Sequence, residues 1–201
     1  MDEPGASGPV GLYEADPRGV MPVEGFRVPR TVARGMRRAG FEIRVDGAFD
    51  QVAAACAVRP GEPPWLTPRL VAAYARLHRL GVAHSVEAWR GGRLQGGLFG
   101  VALGGLFTSE SMFHRAPDAG NASLVAAARM LGAAGFTLWD IQMTSPHTER
   151  FGALEIGRRE YRRRLREALS LSPGPLRPAG GAPPTPPGPR TPPPEATGGR
   201  A

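Results

Sequence analysis

Residues 82–111 read VAHSVEAWRGGRLQGGLFGVALGGLFTSES. Three apolar runs (82–90, 93–103 and 106–111) are separated by Gly91-Gly92 and Gly104-Gly105. Paired glycines supply the conformations of tight turns, so the stretch predicts three strands in a meander. On its N-terminal side, Thr67 is a good N-cap and Pro68 suits a first helical turn. Leu70, Tyr74 and Leu77 then share one face of a predicted helix. On its C-terminal side, APDAGNASLVAAARMLGAAG predicts a helix capped near Asn121 and ending toward Gly135. FTLWDIQM is a further strand, and the arginine-rich stretch around 157–170 is a last helix.

Upstream, Arg30, Arg34, Arg37 and Arg38 fall on one face of a predicted helix over 28–39 that stops at Gly40. FEIRV is a short strand, and residues 48–57 are a helix with Phe49, Val52 and Cys56 inward. The stretch GLYEADPRGVMPVEGF, broken by Pro17, Gly19 and Pro22, reads as a loop. The order of elements is that of an α+β or α/β layered fold around a mixed sheet. Four segments are expected: an unordered 1–11, a reduced N-terminal region 12–66, a main domain 67–169, and a tail 170–201 holding half of the 22 prolines. Such a tail buries too little apolar surface to offset its ordering entropy and is expected to be disordered.

All 25 basic residues are arginine, so chemistry that needs lysine is excluded, and the net charge is +7. That charge suits a polyanionic partner, although coding bias toward arginine accounts for it equally well. A lone cysteine, Cys56, rules out internal disulfides and multi-cysteine metal sites. The histidines have no metal-ligand spacing, and Ser145 and His147 are too close in sequence to be read as a dyad. No run is long enough to span a bilayer, and the first residues do not form a secretory signal, so a cytoplasmic protein is expected.

Three polar residues sit awkwardly in apolar strands: Glu110 at the end of LFTSE, and Asp140 and Gln142 inside FTLWDIQM. Polar groups in such places are costly unless paired or used. Spaced two apart, Asp140 and Gln142 are expected on one strand face with Leu138. A carboxylate beside a carboxamide can orient an amine nucleophile, or simply form a satisfied buried pair. Glu110 can hold a cation or pair with Arg115. In the last helix Arg158, Arg162 and Arg166 stack at spacing four, with too few nearby glutamates to neutralise the helix.

The motifs AHS-x-E-x-W, the glycine-rich run ending in ESMF, WDIQM with a following histidine, and FGA-x-E-I-x-R-x-x-Y occur in order. With DPR at 16–18 and WLTPRLVAAYARLHRLG, they resemble the bacterial leucyl/phenylalanyl-tRNA–protein transferases from about Tyr13 to Leu169. The resemblance implies an acetyltransferase-superfamily-like fold. It also implies transfer of leucine or phenylalanine, sometimes methionine, from charged tRNA to proteins with N-terminal arginine or lysine. This marks them for N-degron proteolysis. Neither metal nor cofactor is implied, since the aminoacyl ester is already activated. Partners would be aminoacyl-tRNA and protein substrates, with no membrane, and a monomer is expected.

By motif, the resemblance makes Asp140 and Gln142 the pair that prepares the attacking amine and places Glu110 beside the reaction centre. It assigns Leu98, Phe107 and Met112 to the donor pocket, Trp65 to the aminoacyl-adenosine end, and the Arg158–Arg162–Arg166 stripe to tRNA. Leu12 and Tyr13 stand where the family has tryptophans, so the expectation is either a mis-set start codon or a partly rebuilt donor site. The alternative reading is a non-catalytic tRNA- or RNA-binding relative that has lost donor-site parts.

Overall fold

The computed structural model describes residues 14–58 and 65–177. Its sheet is built from β1 (Arg18–Met21), β2 (Glu42–Val45), β3 (Ala83–Arg90), β4 (Arg93–Leu103), β5 (Leu106–His114), β6 (Leu138–Gln142) and β7 (Leu154–Ile156). The helices are α1 (Arg30–Ala39), α2 (Phe49–Ala57), α3 (Pro68–Arg79), α4 (Ala119–Ala134), α5 (Pro146–Glu149) and α6 (Arg158–Leu169). The strand order is β2-β3-β4-β5-β6-β1-β7. Only β5 and β6 are parallel, and every other pairing is antiparallel. The layered mixed sheet expected from the sequence is therefore present, with the meander at β3–β5.

Alternation along the strands sends neighbours to opposite faces. Leu98, Phe107 and Trp139 join a core with Leu124, Val125 and Leu131 of α4. Phe99 and Leu94 pack with Phe49, Val52 and Cys56 of α2, and with Leu70, Tyr74 and Leu77 of α3. Leu106, Leu138 and Val20 meet Tyr161, Leu165 and Ala168 of α6 on that same second face. The face expected for α2 is buried, and the one expected for α3 is half-buried against the same core.

β1 is the main departure, because residues 18–21 form a strand rather than a loop. Pro17 and Pro22 lie just outside it, so no ladder donor is lost. Pairing with β6 and β7 on its two sides overrides the local turn signals. A consequence is that the division expected at residue 66 separates nothing in the sheet, since β1 and β2 belong to it. The three-residue β7 and four-residue α5 are also new, being too short to show periodicity. α4 starts at Ala119, two residues before the expected cap, with Asp118 at φ 64° in front of it.

The expected tail boundary also moves. Beyond α6, Gly174 N–H donates to the Ala134 carbonyl at 2.8 Å and Leu176 packs on the α4 core, so the chain stays against the body through Leu176. The rest of the tail, the N-terminal 1–13 with Leu12 and Tyr13, and residues 59–64 lie outside the described residues.

At the β4–β5 pairing the register shifts between Phe99 and Gly100. A Cβ at Gly100 would collide with the Thr108 carbonyl and the Phe107 ring. Gly100→Ala is therefore expected to cost about 1–3 kcal/mol, as overpacking does, read from the urea midpoint at unchanged slope.

Candidate active site

β5 and β6 pair only at Leu106–Leu138, Phe107–Trp139 and Thr108–Asp140. Beyond that point β5 runs on to His114 while β6 ends at Gln142, and the strands part. The gap is a cavity of about 620 Å³ lined by Leu98, Met112, Leu124, Ile141 and Met21, with Glu110, Gln142, Ser145, His147 and Trp65. Apolar walls surrounding a few convergent polar groups are the usual form of a small-molecule site.

A bulge on each bordering strand aims the polar residues. Phe99 faces Ser111 and Gly100 faces Ser109, which leaves Glu110 as the extra residue of β5. On β6, Gly19 faces Gln142 and Val20 faces Asp140, which leaves Ile141 extra. Bulges of this kind redirect side chains at strand ends. Gln142 then takes φ 60°, a conformation uncommon outside glycine. Next to it, a Cβ on Gly19 would come 2.6 Å from the Met143 carbonyl carbon, so only glycine lets β1 approach this turn. Ser145 and Thr148 close α5 with a reciprocal capping box.

The alternation expected to carry Asp140 and Gln142 to one face breaks at this bulge. Gln142 lines the cavity; Asp140 does not. Asp140 is 1% exposed and takes Arg18 Nε and Nη2 at 2.8–3.2 Å. It also accepts the Tyr161 hydroxyl at 2.6 Å and the Gln142 backbone N–H at 2.8 Å. Burial, reinforced by the Asp140 charge, pushes the Tyr161 hydroxyl well above its ordinary pKa, so it remains a donor. Asp140 thus grips the Gln142 backbone from behind the site. Asp16, two residues before Arg18, accepts the Arg158 N–H at 3.2 Å and caps α6, whose own N-cap Gly157 has no side chain.

Glu110 accepts the Tyr74 hydroxyl at 2.9 Å. Burial raises its pKa, with the nearby Asp140 charge adding to the effect. His147 Nε2 lies 2.8 Å from Asn121 Oδ1, and Asn121 Nδ2 donates to Asp118 Oδ1 at 2.9 Å. Phe107 is fully buried, edge-on to Phe136, and stands behind the wall rather than in it. Trp65, Leu98 and Met112 do line the cavity.

The α6 arginines are more neutralised than their neighbours in sequence suggest. Arg158 lies 3.4–3.6 Å from Asp16 and Glu14, and Arg162 lies 3.5 Å from Glu14. Arg163 and Arg164 pair with Glu160, which holds that carboxyl far below its usual range, and Arg163 also takes Glu167. Arg166 has no ion pair among the described residues and borders a groove with Arg158, Arg159 and Arg163. Arg30, Arg34, Arg37 and Arg38 of α1 are exposed, also without ion pairs among the described residues. No group of three or more metal-ligating side chains occurs among the described residues, nor any helix long and apolar enough to cross a membrane.

A family model described as leucyl/phenylalanyl-tRNA protein transferase matches residues 20–166. The chain belongs to this family. Relatives named leucyl/phenylalanyl-tRNA–protein transferase include one from Rubrobacter xylanophilus, 49% identical over 83% of this chain and 87% of its own. One from Phenylobacterium zucineum is 50% identical over 79% and 73%, and one from Herpetosiphon aurantiacus 44% over 86% and 88%. The solved structure of L-PGS from Bacillus licheniformis is similar in fold alone: TM-score 0.50 at 11% identity, covering 71% of this chain and 58% of that one. As in the rest of the transferase family, the activity is aminoacyl transfer, with aminoacyl-tRNA and protein as substrates.

Sequence reading missed the contributions of Arg18, Tyr161, Tyr74, Asn121 and His147. Arg18 and Tyr161 stood inside matched motifs without a role, and Tyr74 was read as one more apolar helix position. Phe107→Ala is expected to cost about 3–5 kcal/mol of stability and leave donor preference unchanged, measured by urea unfolding and competition between charged tRNAs. Glu110→Gln is expected to raise the melting temperature at pH 7, because it removes a partly desolvated charge. That advantage shrinks as the pH falls through the raised carboxyl pKa of the parent protein.

Proposed function

We propose that the protein moves leucine or phenylalanine, and methionine as a lesser donor, from charged tRNA to the α-amino group of proteins that begin with arginine or lysine. The product is a peptide bond and the biological outcome N-degron proteolysis, carried out in the cytoplasm by a monomer. The observation that carries this reading is the cavity, which sets Leu98, Met112 and Leu124 beside Glu110 and Gln142.

Each part has a use in this reaction. The apolar wall takes the donor side chain, and Trp65 at the rim takes the adenosine end of the tRNA by stacking. Glu110 holds the cationic acceptor residue. Gln142 orients the α-amine through its carboxamide, while Asp140, Arg18 and Tyr161 fix the backbone that carries it. Asp140 is thus a positioning residue. The ester is already activated, so holding amine and carbonyl in contact supplies most of the acceleration, and no covalent enzyme intermediate is needed. Arg158, Arg162 and Arg166 receive phosphates, with Glu14 and Asp16 yielding Arg158 and Arg162 as RNA docks.

The test is transfer of labelled leucine or phenylalanine from charged tRNA to a peptide beginning with arginine, with a glycine-initiated control. Label on the arginine peptide alone is expected. Charged tRNA that binds without transfer would instead support the non-catalytic reading. Asp140→Ala is expected to abolish transfer with charged-tRNA binding nearly intact; equal loss of both would remove its positioning role. Neutralising Arg162 and Arg166 together is expected to weaken tRNA binding and flatten its salt dependence by about two phosphate contacts, as counterion release requires.

A further inference from the structure

Aminoacyl transfer to an α-amine has a proton requirement that the groups above do not meet. An α-amino group has a pKa of about 7.7–8.0, so at neutral pH it is mostly ammonium and has no lone pair for attack. Asp140 is enclosed by Arg18, Tyr161 and the Gln142 N–H, and does not reach the cavity. The Gln142 carboxamide is not a base. Among the described residues the cavity is lined by two titratable side chains, Glu110 and His147. Glu110 already accepts the Tyr74 hydroxyl and, in the proposed reaction, faces the acceptor's cationic side chain.

His147 is built differently. Asp118 offers only acceptor oxygens, so the Asn121 amino group must face it, which turns Asn121 Oδ1 toward His147. Nε2 must then carry the ring proton and donate it to Asn121. Nδ1, on the other side of the ring, keeps its lone pair and has no partner among the described residues. The ring is half-buried at the cavity edge and packs against Phe151, with centroids 5.3 Å apart. Facing it are Arg150 just past α5, His114 of β5 and, through Asn121, the Asp118 carboxylate at the start of α4. Burial, then Arg150 and His114, depress its pKa, so it is neutral at physiological pH.

We propose that His147 is the proton acceptor of the reaction, taking a proton through Nδ1 from the α-ammonium of the incoming polypeptide. This rests on the transferase function proposed above. The imidazole releases that first proton to water. The freed amine attacks the ester carbonyl carbon and the C–N bond forms. His147 then takes a second proton from the new ammonium and returns it to the ribose oxygen as the ester C–O bond breaks. The sum is one amide, one ribose hydroxyl and one proton released.

The experiment measures kcat/KM for an arginine-initiated peptide across pH 5–9 with saturating charged tRNA. His147→Gln keeps a donor toward Asn121 but has no titratable lone pair. It is expected to lose about 10²-fold or more, the usual contribution of general acid–base catalysis, with melting temperature and charged-tRNA binding retained. On the acid limb, below the lowered pKa of His147, the slope of log kcat/KM is expected to fall by about one relative to the parent, because one required deprotonation is gone while those of the α-amine and Glu110 remain. His147→Ala should recover activity with added imidazole. An unchanged slope in His147→Gln, whatever the size of its rate loss, would overturn the proposal and leave the transferase reading standing. Absence of transfer by the parent protein would overturn both.

Discussion

A single buried carboxylate organises this protein's site. Asp140 is cut off from water, and an unpaired charge in such a place is destabilising by about 3–5 kcal/mol. Its demand for donors is met from three directions at once: Arg18 of β1, Tyr161 of α6 and the backbone of Gln142. Each of those groups is thereby fixed relative to the others. The requirement to satisfy Asp140 docks the first strand, positions the last helix and sets the turn that presents Gln142. The carboxylate does its work without touching the cavity.

Around this anchor, the cavity follows from a mismatch of strand lengths. β5 has nine residues and β6 five, and they pair over only three positions before diverging. A parallel pair that stops early leaves a wedge, and the bulges at Glu110 and Ile141 turn polar and apolar side chains into it. The hydrophobic effect builds the walls from residues that also belong to the core, such as Leu98 and Leu124. The polar groups come from the irregularities. The structure thus places chemistry where the sheet's regularity fails, while its strength resides where the sheet is regular.

Much of this was legible in the sequence. The β3–β5 meander followed from Gly91-Gly92 and Gly104-Gly105, and the inward faces of α2 and α3 from apolar spacing. Glu110 and Gln142 stood out because polar residues in apolar strands need a reason. What stayed hidden depended on distant partners. β1 is four residues whose strand character comes from β6 and β7 rather than from RGVM. Alternation misplaced Asp140 beside Gln142, because a bulge cannot be read from spacing. The neutralisation of Arg158 and Arg162 by Glu14 and Asp16 was invisible for the same reason: those carboxylates lie more than 140 residues away in the chain. Phe107, assigned to the pocket by motif, lies one layer behind it.

The position of β1 between β6 and β7 bears on how the protein comes to life on the ribosome. Arg18 is made before Asp140 and Tyr161 after it, and Asp140 needs both. The meander and its helices can collapse early through local contacts, but the site closes only when Arg18 meets Asp140 across 122 positions of sequence and Tyr161 joins them. Loop closure over such separations is slow compared with local pairing. Catalytic competence therefore arrives as a late, long-range step, after the local pairings of the meander are made.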